Sequence, residues 1–92
     1  MIENFNDFID FITSIVKELN EVYSLQIYED SYSATIDIFY HFWCTITWSS
    51  KGYFVEVYHI ANSLSKSDNL DSKDAIVEFI NGVLNEYTNK IN

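Results

Sequence analysis

A nucleophile needs a base and a group that orients it. The only imidazoles in the 92-residue chain are His41 and His59, set among Ser, Thr and carboxylates in no recognised catalytic constellation. His41, His59 and Glu56 are the one set that invites a metal. Strand parity places His41 and Glu56 on one sheet face and His59 on the other, so the geometry opposes it. The only glycines, Gly52 and Gly82, stand in no strand–glycine loop–helix context, which leaves a nucleotide phosphate without a cradle. Cys44 is the single cysteine, so neither an intramolecular disulfide nor a multi-cysteine zinc site can form, and it reads as a small core hydrophobe. These residues predict no enzyme, no metal and no cofactor.

Charge narrows the choice of partner. Fourteen acidic residues stand against five lysines and no arginine, for a formal charge of −9. That balance argues against direct binding to nucleic-acid phosphates or anionic lipid, and a basic protein is its natural complement. No basic start followed by an apolar run opens the chain and no segment approaches the ~20 apolar residues of a membrane span, so the expected location is the cytoplasm. The absence of Pro and Arg beside many Ile, Asn and Tyr is the bias of an AT-rich bacterium or its phage.

The length fits a single domain, 1–92, with a core rich in aromatics, which form 17% of the residues. Apolar positions from Phe5 to Tyr23 recur every three or four residues and predict a first helix capped by Asn4 or Asn6. Tyr23 to Asp30 alternates as a short strand with Tyr23, Leu25 and Ile27 on one face, ending in a Glu29-Asp30-Ser31 turn.

From Ala34 to Trp48 every second residue is apolar with no turn signal, which predicts one long bent strand. Two strands joined near Tyr40-His41 are the alternative. Ser49-Ser50-Lys51-Gly52 turns the chain into a strand over 53–60, and Asn62 to Asn69 reads as a polar loop. A second helix follows, stapled by Leu70 and Ala75 around an Asp71 cap, with Ile76, Phe79, Ile80, Val83, Leu84, Tyr87 and Ile91 inward. Gly82 inside it implies a close helix–sheet approach. The expected fold is α+β in the order αβββα: a three-stranded antiparallel meander with a long bent middle strand and both helices on one face.

Two surfaces stand out for binding. On the first helix Glu3, Asp7, Asp10, Ser14, Lys17 and Glu21 lie opposite the core stripe, and Asp68, Asp71, Asp74 and Glu78 add a second acidic patch. Carboxylates three or four residues apart are about 5–6 Å between Cβ atoms, on the scale of successive nucleic-acid phosphates, so the array can imitate DNA. An exposed helix face is ordinarily charged, and acids near helix amino termini meet the dipole favourably; the scarcity of interspersed lysine is what sets this face apart. The other surface is the second parity of the long strand, where Phe39 and Trp43, with Phe54 and Tyr58 beside them, form an aromatic patch. It is either covered within the monomer or serves a homodimer or a partner protein.

The helix–three strands–helix order resembles the double-stranded-RNA-binding domain. The basic second helix on which that family depends is replaced by Asp71-Ser72-Lys73-Asp74 with Glu78 and Glu86, so only the fold is implied. In size, charge and absence of chemistry the chain resembles the small acidic inhibitors of phages, the anti-CRISPR proteins, and also bacterial toxin-immunity proteins. That resemblance implies a non-enzymatic inhibitor of a basic nucleic-acid-binding enzyme such as a CRISPR effector nuclease. The acidic contacts would be Glu3, Asp7, Asp10, Glu21, Asp71, Asp74 and Glu78. A homodimeric structural or adaptor protein joined through Phe39, Trp43, Phe54 and Tyr58 is the alternative.

Overall fold

The side chain of Asn4 accepts the Asp7 backbone N–H at 2.9 Å and caps α1, Phe5–Val16, whose Phe8, Ile12 and Ile15 are buried. The computed structural model describes residues 2–39 and 41–91, without the side chains of residues 62 and 89–91, so Tyr40 and the Ile91 side chain lie outside it. The helix stops more than a turn before the apolar period does. Glu18 and Leu19 donate to the carbonyls of Ile15 and Val16, which tightens the chain into three-residue turns, and Glu21 then adopts a left-handed φ of 57°. Leu19 is buried from this connection and Val22 packs on the core from a strand, so one hydrophobic period spans three kinds of backbone.

Five strands follow as an antiparallel meander: β1 Val22–Tyr28, β2 Ser33–Ile38, β3 Phe42–Ser49, β4 Gly52–His59 and β5 Leu64–Leu70. The architecture is αβββββα and not the three-stranded αβββα meander that the sequence suggests, and the strand order of a double-stranded-RNA-binding domain goes with it. The long strand over 34–48 is two strands. Ile38 pairs with Phe42, Phe39 and His41 lie in the turn between them, and His41 takes a φ of 66°. His is one of the few non-glycine types enriched in that left-handed region, so the turn needs no Gly, Asn or Asp.

The polar segment 62–69 is for the most part an edge strand. A single 3₁₀ turn, Ile60–Asn62, leads into β5, which pairs with β4 from His59↔Leu64 to Tyr53↔Leu70. Its polar composition, with Lys66 and Asp68, is how an edge avoids recruiting further strands. In β1 a bulge between Val22 and Ser24 moves Tyr23 off the predicted inward face and leaves it 74% exposed, while Leu25 and Ile27 pack on the core.

Ser72, and not Asp71, caps α2, Lys73–Ile91: its Oγ accepts the Ala75 N–H at 3.2 Å. Ile76, Ile80, Val83, Leu84 and Tyr87 are buried against the same sheet face as α1, the face of Ile36, Ile38, Phe42, Cys44, Ile46, Val55 and Val57. Both helices therefore cover one side of the sheet. No helix among the described residues is long and apolar enough to cross a membrane.

The two glycines act differently. Gly52 has a φ of +123°, and a Cβ there would lie 2.8 Å from the Leu70 carbonyl oxygen, so the β3–β4 turn requires it. Gly82 is exposed with nothing within 4 Å of a Cβ, which removes the close helix–sheet approach expected of it. Gly82→Ala is accordingly expected to raise stability by up to about 1 kcal/mol in urea unfolding, and Gly52→Ala to lower it by about 1–3 kcal/mol.

Candidate functional site

The residues with chemical potential are held apart or enclosed. His41 is exposed in the β2–β3 loop, where its carbonyl accepts the Ile60 N–H at 3.0 Å. His59 is buried at 2% exposure on the helix-covered face, its ring 4.5 Å from that of Phe42. Glu56 lies on the opposite face. No group of three or more potential metal ligands occurs among the described residues, and no buried side-chain nitrogen or oxygen among them lacks a hydrogen-bond partner.

Cys44 is fully buried, and burial, with a smaller contribution from the Glu56 charge, pushes its thiol up to about 12. The thiolate is the nucleophile, so a maleimide or dithio reagent at pH 8 is expected to leave the native protein unmodified and to react once denaturant is added. The unfolded thiol releases its proton near 9 and the native one near 12. The unfolded state thus binds fewer protons between those values, and this group's contribution to stability falls as pH rises through that window.

The acidic residues divide by position. Asp7 and Asp10 on α1 and Asp71 at the β5–α2 junction, residues far apart in sequence, line one open depression with Ile2, Phe11 and Tyr53, and no lysine lines it. The Phe11 and Tyr53 rings stack at 4.4 Å and join the helix to the strand there. Asp7 has a second task, because its carboxylate accepts the Glu3 backbone N–H at 2.9 Å and so fixes the start of α1. Asp74 and Glu78 are exposed further along α2, three and four residues on from Asp71 and Asp74.

Glu21 does not join them. It precedes Val22, which pairs at the Ile38 end of one edge strand, whereas Asp71 follows Leu70 at the far end of the other edge strand. Strand spacing and rise put these diagonal corners on the order of 25 Å apart. Two lysines are occupied nearby, Lys73 with Glu18 and Lys66 with Glu86, each at 2.7 Å.

The aromatic set is also split. Trp43 and Phe54 are 39% and 43% exposed on the sheet face that carries no helix, and the Trp43 and Tyr58 rings meet edge-on at 6.5 Å. Phe39 leaves that face with the loop and packs on the core, its ring 6.4 Å from that of Phe42. Tyr28, on the same open face as Trp43 and 45% exposed, falls opposite Leu25 and Ile27 as the alternation of its strand implies, but the sequence did not join it to the aromatic patch. The acidic depression and the aromatic face therefore lie on opposite sides of the molecule, and one flat partner surface cannot cover both.

No family model matches the chain, and neither the characterised proteins nor the solved structures compared with it contain a match.

Proposed function

We propose that the chain is a non-enzymatic acidic protein that inhibits a basic, nucleic-acid-binding enzyme by occupying its nucleic-acid channel. A CRISPR effector nuclease is the kind of target that the resemblance to phage inhibitors suggests. The observation that carries this reading is the gathering of Asp7, Asp10 and Asp71 from separate elements around one depression without a lysine among its lining residues. A surface that merely keeps a protein soluble intersperses charges of both signs. Asp74 and Glu78 extend the same sign along α2, and a basic channel would receive the row as it receives phosphates.

The test is capture on the immobilised protein from a bacterial lysate, followed by elution in a salt gradient. A nuclease or other nucleic-acid-binding enzyme released at moderate salt, whose activity the free protein then blocks, is the expected result. An enzyme that binds the protein yet keeps full activity with it would overturn the inhibitory reading.

A further inference from the structure

Strand register arranges the open sheet face into rows that cross the strands. The middle row is Gln26, Thr35, Thr45, Glu56 and Ser67, all short or polar. One neighbouring row carries the Trp43–Tyr58 pair and the other carries Tyr28 and Phe54, so aromatic side chains stand on both sides of a low strip. Alternate residues of a strand are about 6.6 Å apart, which sets the flanking rows roughly 13 Å from each other. Five strands make the strip about 19 Å long, the span of roughly six extended residues.

Charge identifies the occupant. Glu56 is half-buried in the strip between Phe54 and Tyr58 of its own strand, and Asp37 stands beside Trp43 in the next row, bonded by the Ser24 hydroxyl at 2.7 Å. Neither carboxylate takes part in an ion pair among the described residues, and no lysine is in any of the three rows. A second copy laid face to face would set these carboxylates against their own images without a cation between them. A guanidinium suits the place, because it pairs with a carboxylate and stacks on aromatic faces at once.

We propose that this strip is a docking site for an extended, arginine-bearing segment of a partner protein, with one guanidinium paired to Glu56 and covered by Trp43 and Tyr58. The site rests on the reading that the partner is a basic protein. It is separate from the carboxylates of the helix side, and a segment reaching round the sheet would give the partner a second hold.

Hexa-arginine is the probe, titrated into isotopically labelled protein and followed by amide and indole NMR shifts. The expected result is movement of the Trp43 indole and of the Thr45, Glu56 and Ser67 amides. Glu56→Gln should weaken that response about tenfold, the loss of one charge-assisted hydrogen bond. Shifts confined to Asp10, Asp71 and Asp74 would overturn the site and leave the proposed inhibitor intact, whereas no binding on either side would remove both. Concentration-dependent broadening of the Trp43 indole without peptide, with a dimer in sedimentation, would also overturn it by putting a second copy on the face.

Discussion

Phe42→Ala is expected to destabilise the protein by about 3–5 kcal/mol, and Trp43→Ala, the next residue on the strand, by less than about 1 kcal/mol. Phe42 is 1% exposed, and its ring lies parallel to Tyr87 of α2 at 6.1 Å and 4.5 Å from His59. Its removal opens a cavity where β3, β4 and α2 meet. Trp43 points to the uncovered face and loses chiefly its edge contact with Tyr58. A small domain has about 5–15 kcal/mol to lose, so urea midpoints should separate the two variants widely. Equal losses would mean that the helices do not cover the face assigned to them.

The triple variant Asp10→Lys, Asp71→Lys and Glu78→Lys should bind the target enzyme at least about 100-fold more weakly, since like charges set against each other at an interface cost several kcal/mol. All three side chains are exposed, and none makes a hydrogen bond among the described residues, so the fold should persist. Asp7 is left unchanged because its carboxylate also holds the start of α1. Titration calorimetry at two salt concentrations, with circular dichroism as the folding control, reads the effect. Unaltered affinity would place the interface elsewhere.

Both helices, their placement on one side of the sheet and the turns at 29–31 and 49–52 were legible in the sequence, because a stripe at helical period, an alternation at period two and a polar break each mark an element. The β2–β3 loop was hidden by arithmetic. A hairpin that pairs Ile38 with Phe42 leaves three loop residues, and an odd loop carries the same parity from one strand into the next. Ile36, Ile38, Phe42 and Cys44 therefore alternate as if the strand had never turned. β5 was hidden for a different reason: its inward-parity residues Lys66 and Asp68 are exposed at the sheet edge, and Lys66 pairs with Glu86 instead of packing. Burial, which periodicity reports, is nearly absent from that strand.

At the surface, the sequence placed Phe39, Trp43, Phe54 and Tyr58 on one face; the last three lie there, whereas the loop turns Phe39 to the core. It grouped Glu21 with Asp7 and Asp10 on a helix that ends at Val16. The meeting of Asp71 with Asp7 and Asp10 depends on β5 ending beside α1, and no local spacing carries that.

Competition with DNA tests the central claim most directly. With the captured enzyme immobilised at fixed low salt, where both complexes hold, a duplex oligonucleotide of about 30 base pairs should displace the bound protein in proportion to its own affinity. Simultaneous binding of the duplex and the protein, with neither weakening the other, would contradict occupation of the nucleic-acid channel.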